Sequence, residues 1–232
     1  METISLLRDL SLLIGIWVAI YGIDSWRREH KGKREIELAE DVLALFYEAR
    51  DAIKYMRFPF SPSGERVDIQ KADAESDSEW QARRNASVAF KRYDERKDMF
   101  NRIHAMRYRF MAQVGPVEAA PFEDLKKVAN EVLVAARMLA QLWPRNYFRT
   151  NEQYQQHTKQ VEKYQAVLWE GMGGDDPINP RLDSIIETME KTCRNIIMGK
   201  GTLYAFLNRP LWKSQKCSQP TDVPGGVVKF VK

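Results

Sequence analysis

The sequence predicts an all-α protein with one N-terminal transmembrane helix, a cytoplasmic bundle of about five helices and a disordered C-terminal tail. Three observations support this architecture. Residues 10–23, reading LSLLIGIWVAIYGI, carry no charge over 14 positions, and the chain contains no second run of this kind. Downstream, apolar residues recur at steps of three and four, which is the period of an amphipathic helix. Alternation of apolar and polar residues is nowhere long enough to build a sheet.

The composition indicates one folded domain of ordinary size beside the apolar run. Of the 232 residues, 44% are hydrophobic and 29% are charged, which is typical of a soluble domain and not of a polytopic membrane protein. The net charge of +4 is mild and implies by itself no polyanionic partner. Cys193 and Cys217 form no CxxC or Cys/His cluster, so we expect a reducing compartment, with Cys193 as a small core residue.

We interpret residues 1–26 as a membrane anchor. A span needs about 20 apolar residues. Extending the run back to Ile4 reaches that length but includes Arg8 and Asp9, of which the arginine can snorkel and the aspartate is the more costly. The two alternatives are a buried soluble helix and a signal peptide. The signal peptide is disfavoured because the chain lacks a basic first region and a small-residue cleavage site.

The charges on the two sides of the run give the anchor a direction. Arg8 is the single Lys or Arg before it, whereas five follow it: Arg27, Arg28, Lys31, Lys33 and Arg34. The positive-inside rule then places the N-terminus outside and the large domain in the cytoplasm. We therefore expect a single-pass protein of the cell's inner (plasma) membrane, with the lipid bilayer as a partner.

Ser11, Gly15 and Ala19 place three small residues on one face of the predicted span. Small residues let two helix backbones approach closely in lipid, where packing drives association. A second copy of the chain is therefore a candidate partner, both through this face and through the heptad positions that follow the anchor.

Residues 27–212 are predicted to form the helical bundle. Its first helix ends before Pro59, because the residue before a proline disfavours the α region. That helix has a heptad seam made of Ala39, Val42, Phe46, Ala49, Ile53 and Met56. A single helix is predicted from Ser78 to Val114, opened by acidic residues that suit the helix dipole. Its buried side is marked by Tyr93, Phe100, Ile103, Phe110 and Val114.

Three further helices complete the predicted bundle. Pro121 opens the first of them, with a stripe of Leu125, Val128, Val132, Ala136, Leu139 and Trp143. Thr150 and Gln153 match a capping box, and the helix that follows has the stripe Tyr154, His157, Val161, Tyr164 and Leu168. Asn179 and Pro180 suit the cap and first turn of a last helix, which buries Leu182, Ile185, Ile186, Met189, Cys193 and Ile196 and extends to about Phe206. The composition of residues 213–232 predicts a flexible tail.

One segment of the predicted bundle is strongly basic. Between positions 83 and 109 it carries nine Lys and Arg side chains, interleaved with two tyrosines: Arg83, Arg84, Lys91, Arg92, Arg96, Lys97, Arg102, Arg107 and Arg109. Such a helix can bind phosphates or an anionic lipid surface. The alternative, which we favour, is a solvated face neutralised by acidic residues of the preceding helix, namely Glu37, Glu40, Asp41, Glu48 and Asp51. The membrane location makes lipid the better ligand and nucleic acid an unlikely one.

No catalytic, metal or nucleotide motif is present in the sequence. His30, His104 and His157 lie on separate elements and lack the HExxH or ExxH spacing of metal-binding helices, and we expect His157 to be a core-seam residue with one hydrogen bond. The GKGT sequence at 199–202 lacks the spacing of a phosphate-binding loop. We therefore expect no catalytic residues, no metal and no cofactor.

The leading functional interpretation is a membrane-tethered scaffold or regulatory protein that acts by binding an unidentified protein partner and has no catalytic activity. One alternative is an anionic-lipid or nucleic-acid binder that uses the basic segment 83–109. A second is an oligomerising membrane effector that uses the small-residue face. A third is an enzyme whose site is formed by residues distant in sequence.

Overall fold

A computed structural model describes residues 2–62, 65, 69–172 and 175–199. Within these ranges the protein is all-helical, as predicted, and contains no strand. Six helices follow one another: α1 (Glu2–Arg57), α2 (Asp77–Glu95), α3 (Lys97–Gln113), α4 (Ala120–Leu142), α5 (Asn151–Leu168) and α6 (Asn179–Ile197). The last helix was predicted to continue through Gly199, but α6 ends at Ile197 and Gly199 has a φ of 59°, so this continuation is wrong. Residues 200–206 of the predicted extension and the predicted tail 213–232 lie outside the described residues.

Helix α1 is one continuous helix of 56 residues that crosses the predicted boundary between anchor and bundle. From Leu38 onward it enters the core, and the six residues of the predicted heptad seam (39, 42, 46, 49, 53 and 56) are all fully buried. The start of α6 lies at the end of α1, where Asn179 Oδ1 accepts a hydrogen bond from Arg57. Helix α6 therefore runs antiparallel to this part of α1. The heptad prediction is therefore confirmed.

Helix α4 is the central element of the core. Its predicted stripe is confirmed at five of six positions, since Leu125, Val128, Val132, Ala136 and Leu139 are buried, whereas Trp143 is half-buried. One face packs with α1, α3 and α6, where Phe122 contacts Phe46 edge-on at a ring distance of 4.9 Å. Another face packs with α2, α5 and the end of α1 at Met56. Because α4 contributes to both clusters, it fixes the positions of all the other helices.

The prediction of a single helix from 78 to 114 is wrong. The chain breaks at Arg96, where φ is −111° and ψ is 10°, and α3 begins at the next residue. The break separates the packing of the two halves: Ala86 and Ala89 of α2 join the α4–α5 cluster, whereas Ile103 and Phe110 of α3 join the α1–α6 cluster. No Gly or Pro marks this position, so tertiary packing determines it.

The helix starts differ in detail from the predicted ones. Ser76 and Glu79 form a complete capping box at α2, which was not predicted. Thr150 accepts from Gln153 N at 3.3 Å as expected, but the Gln153 side chain accepts from Arg149 N, so half of the predicted box forms.

Two further expectations about α5 and α6 are wrong. Asn179 does not cap α6, because the carboxylate of Asp176 accepts from Ile178 N and Asn179 N at 2.8 and 3.1 Å. Tyr154, predicted on the buried stripe of α5, is exposed, because α5 covers α4 only with positions closer to Leu168.

Candidate functional site

In an apolar segment of α1, residues 14–26, the seven large apolar side chains that the structure describes lie in solvent. These side chains are between 55% and 66% exposed: Ile14, Trp17, Val18, Ile20, Tyr21, Ile23 and Trp26. At about 100° per residue they point to all sides of the helix. A single neighbouring helix would therefore cover only some of them.

The apolar segment covers only part of the predicted anchor. Within the predicted anchor, residues 1–26, the side chains of 1–13, 16, 24 and 25 lie outside the described part of the structure, including that of Ser11 in the small-residue stripe. Gly15 and Ala19 of the stripe are exposed, and a Cβ added to Gly15 would meet no atom within 4 Å. Within the described part of the chain, no helix meets the combined length and apolarity that a membrane crossing requires.

A basic groove adjoins the apolar segment where α1 passes the end of α3. Its volume is about 630 Å³. 

A second and larger cavity, of about 930 Å³, lies between α2 and the end of α4. The basic groove of about 630 Å³ is lined by Trp26, Arg27, His30, Lys31, Arg34 and Glu35 of α1 and by Ala112 and Gln113 of α3. The lining thus contains three basic side chains, Arg27, Lys31 and Arg34, and one carboxylate, Glu35.

The charges of the basic groove are held loosely. Lys31 lies 3.8 Å from Glu35 and is mostly exposed, so this pair leaves the ammonium accessible. The rings of Trp26 and His30 stack at 5.6 Å with an angle of 10° and form one rim. The C-terminal dipole of α3 opposes a bound anion by about 0.3–1 kcal/mol. Each basic side chain near an anionic lipid surface favours binding by about 1 kcal/mol. The three basic side chains therefore outweigh the dipole, and the groove as a whole favours a bound anion.

The nine basic residues predicted as an anionic-ligand surface do not form one continuous face, because they are divided between α2 and α3. Arg83 bonds to Glu75 at 2.9 Å, and Arg107 pairs with Glu123 at 2.5 Å. Arg84 stacks over the Trp80 ring at 4.6 Å, and Lys91 is half-buried. The remaining members on the surface are exposed: Arg96, Lys97, Arg102 and Arg109.

Arg92, the ninth member of the predicted surface, is buried and bonds internally. Its guanidinium donates to both carboxylate oxygens of Glu65, at 2.5 and 2.7 Å. It also donates to the carbonyl oxygens of Tyr55, Phe58 and Phe60. The carboxylates that pair with Arg83, Arg92 and Arg107 are therefore not the acidic residues of α1 proposed from the sequence. Arg92 is unavailable to an external ligand.

Arg92 fixes an exposed aromatic pair at the end of α1. Phe58 and Phe60 are 48% and 74% exposed, and their rings lie 5.7 Å apart. The backbone carbonyl of each accepts a hydrogen bond from the buried guanidinium, at 2.6 and 2.8 Å. The pair is thus presented to solvent on a backbone that is held in place. Sequence analysis missed it, because the segment reads as an ordinary loop.

A second buried arginine, Arg57, joins three helices at the same end of the bundle. It donates to the carbonyl oxygens of Ala166 and Val167 near the end of α5, at 3.0 and 2.9 Å. It also pairs with Asp176 at 2.9 Å, next to the start of α6. These bonds satisfy helix-end carbonyls that would otherwise lack donors. No pattern in the sequence distinguishes Arg57 from a surface arginine.

Two side chains able to perform chemistry, those of His157 and Cys193, are engaged in packing. His157 Nε2 lies 3.0 Å from the Leu142 carbonyl oxygen, which confirms the predicted hydrogen bond. Cys193 is fully buried, and burial raises the pKa of its thiol to about 11, so the nucleophilic thiolate does not form near neutral pH. The described residues contain no group of His, Cys, Asp and Glu side chains that could hold a metal ion.

A smaller cavity of about 250 Å³ lies between α3 and α4. Apolar residues such as Phe100 and Leu125 form much of it, and the Arg107–Glu123 pair lies at its edge. Its volume is below the usual range of ligand pockets. The basic groove and the aromatic pair combine solvent exposure with a definite chemistry, cationic in the groove and aromatic in the pair.

Comparisons with known proteins leave these surfaces to be interpreted from the chain itself. No family model, no curated protein and no solved structure matches this chain.

Proposed function

We propose that the protein is a membrane-tethered helical binding protein without catalytic activity, a scaffold or regulatory subunit anchored by the first part of α1. The observation that carries the proposal is the apolar segment 14–26, whose large side chains are exposed on all sides of a helix. The same helix continues into the core of the bundle from Leu38 onward. Anchor and binding domain are therefore parts of one rigid element.

A bilayer covers such a segment better than a protein partner does. Soluble monomers rarely expose contiguous apolar patches larger than a few hundred Å². A helix that lies in a membrane interface or in a coiled coil buries only one face. Val18 and Ile23 lie on different sides of α1, so such an arrangement would cover one of them and leave the other in water. A helix that is apolar all round is normally buried in a large core or in a membrane. Residues 4–23 supply about 30 Å of helix, the thickness of the hydrocarbon core, with Arg8 and Asp9 near the outer end.

The flanking charges supply the direction of the anchor. Arg27, Lys31 and Arg34 follow the apolar segment directly and are exposed. Basic residues are retained on the cytoplasmic side of a span. The proposed orientation is therefore N-terminus outside and bundle in the cytoplasm.

The aromatic pair supports the binding role. Along the axis of α1, Phe58 lies about 48 Å from Trp26, at 1.5 Å per residue, so the pair is at the end of the bundle remote from the proposed membrane. Aromatic side chains dominate the energetics of protein interfaces. A backbone already fixed by Arg92 loses little conformational freedom on binding. These properties fit a protein partner that docks on Phe58 and Phe60.

Membrane fractionation tests the anchor. The full-length chain should remain with membranes after an alkaline carbonate wash and require detergent for release. Substituting both Val18 and Ile20 by Arg should release it, because two charges within the span are costly. The matched control, Glu37→Arg with Glu40→Arg, changes more charge on the same helix outside the apolar segment and should remain bound. Recovery of the unmodified protein in the soluble fraction without detergent would overturn the proposal.

Capture from detergent-solubilised membranes tests the binding role. Crosslinked partners recovered with the unmodified protein should be lost when Phe58 and Phe60 are both replaced by Ser. The control replaces Val117 and Tyr147, which are 79% and 75% exposed elsewhere on the bundle. Identical recovery with both double variants would exclude the aromatic pair as the contact surface.

A further inference from the structure

We propose that the basic groove binds the headgroup phosphate of an anionic phospholipid. The inference rests on the proposed membrane anchor and specifies the lipid that the anchor recruits. The groove lies at the junction of α1 and the end of α3. Three of its basic residues also set the proposed orientation of the anchor, but that role assigns the groove no ligand.

The charges of the groove fit a single phosphodiester. Arg27, Lys31 and Arg34 follow one another at steps of four and three, so they lie on the same side of α1. Glu35 is the one carboxylate among the lining residues. Its nearest base, Lys31, is 3.8 Å away and remains largely exposed. An arginine binds phosphate oxygens through two parallel N–H donors, and two arginines and a lysine are available here.

The shape of the groove distinguishes it from an ordinary charged helix face. Ala112 and Gln113 of α3 form a second wall opposite α1, and the Gln113 amide adds a donor that carries no charge. The stacked rings of Trp26 and His30 close one side. A headgroup in the groove is therefore contacted from two helices.

The neighbourhood of the groove favours a lipid over a free phosphate ion. The groove begins at Trp26, where the apolar segment ends, so a headgroup bound there has its acyl chains beside Ile23 and Ile20. Tryptophan is enriched at the level of lipid headgroups. A soluble phosphate ion would contact the basic side chains of the groove but would make none of these apolar contacts. The occupant is therefore a phospholipid with a net negative headgroup, such as phosphatidylglycerol.

Lipid selectivity measured by electron spin resonance tests the inference. The full-length protein is reconstituted in phosphatidylcholine vesicles that contain either spin-labelled phosphatidylglycerol or spin-labelled phosphatidylcholine. The motionally restricted fraction should be larger for phosphatidylglycerol. Replacing Arg27, Lys31 and Arg34 by Gln should reduce this preference by about fivefold or more. The matched control replaces Lys159, Lys163 and Lys191 by Gln, removing equal charge from α5 and α6, and should keep it.

The outcomes separate this inference from the proposed anchor. Restriction of neither lipid would mean that the protein does not enter the bilayer, and the anchor itself would fail. Equal restriction of both lipids, or equal loss of preference in both triple variants, would overturn the groove and leave the anchor intact. A preference that inorganic phosphate abolishes, but sodium chloride of equal ionic strength does not, would make the groove a soluble-anion site and overturn the lipid assignment.

A conservative variant controls for misfolding. Replacing Arg27 and Arg34 by Lys keeps the charge and should retain part of the preference, while the Gln variants lose it. All three bases precede Leu38, the first fully buried residue of α1, so circular dichroism of every variant should match that of the unmodified protein. Loss of preference with both Lys and Gln at these positions would contradict binding by charge.

Discussion

The Arg92 guanidinium holds the Glu65 carboxylate through two hydrogen bonds of 2.5 and 2.7 Å. The arginine is 1% exposed and also lies 4.9 Å from the centre of the Tyr55 ring. Tyr55 in turn donates its hydroxyl to Glu65 at 3.1 Å. Helix α2 is thereby fastened to the end of α1 and to the segment that carries Phe58 and Phe60.

Replacing Arg92 by Met should lower the free energy of unfolding by about 3–5 kcal/mol, because it leaves the Glu65 charge and three carbonyl groups without their donor. Chemical denaturation of the full-length protein in detergent measures the change. Arg96→Met, at an exposed position of the same segment, should change it by less than about 0.5 kcal/mol. Equal effects of the two substitutions would show that the Arg92 contacts do not stabilise the bundle.

The stability of the protein should fall with acidification through Glu65. Hydrogen bonds from Arg92 hold the pKa of this carboxyl at about 2, compared with 4.5 for an unperturbed glutamate. Because the folded-state pKa is the lower one, the contribution is complete above about pH 4.5 and is lost as the pH falls towards 2. In this pH window the unfolding free energy of the unmodified protein should fall by up to about 1.4 kcal/mol per pH unit more than that of the Glu65→Gln variant. Parallel pH curves for the two proteins would contradict this assignment.

Arg57 should not tolerate lysine. Its guanidinium bonds to carbonyls of α5 and to Asp176 and Asn179 near the start of α6, and a lysine cannot reproduce this planar set of donors. With at least two buried acceptors left unpaired, Arg57→Lys should cost about 3 kcal/mol of unfolding free energy. The control Arg102→Lys, at an exposed site, should be neutral. An unfolding free energy that Arg57→Lys leaves unchanged would show that a positive charge alone suffices at this position.

The repeated apolar positions could be predicted from the sequence because they depend on local periodicity. The seam from Ala39 to Met56 and the stripe of α4 are buried where the spacing placed them, since a period of 3.6 residues determines which side chains share a face. The end of α1 before Pro59 follows from the local geometry of proline. These features need no knowledge of the other helices.

The break at Arg96 and the roles of the two buried arginines could not be predicted in this way. Each depends on groups far along the chain: Arg92 is 27 residues from Glu65, and Arg57 is 119 residues from Asp176. A basic residue surrounded by other basic residues gives no sign that one of them is buried. The aromatic pair was missed for the same reason, because its fixed backbone is a consequence of Arg92.

The exposed bases of α2 and α3 should behave as an ordinary charged surface. Replacing Arg96, Lys97, Arg102 and Arg109 by Gln should lower the salt concentration of elution from heparin, since four charges are lost. The control replaces Arg137, Lys159, Lys163 and Lys191, which are exposed elsewhere. We expect equal shifts, because Lys97 lies about 140° round α3 from Arg102, so that these bases do not form one face. A clearly larger shift for the first set would favour the anionic-ligand surface instead.

The small-residue stripe should affect association and not folding. Gly15 has open space around its Cα in the single chain, so Gly15→Leu meets no steric conflict within the molecule. If two anchors pack through this face, the added side chain separates the backbones, and crosslinked dimers in vesicles should decrease. The control is Ile20→Leu, about 140° round the helix from Gly15, which should leave dimers unchanged. An unchanged yield with Gly15→Leu would remove the support for association through the stripe, and with it the oligomerising-effector alternative.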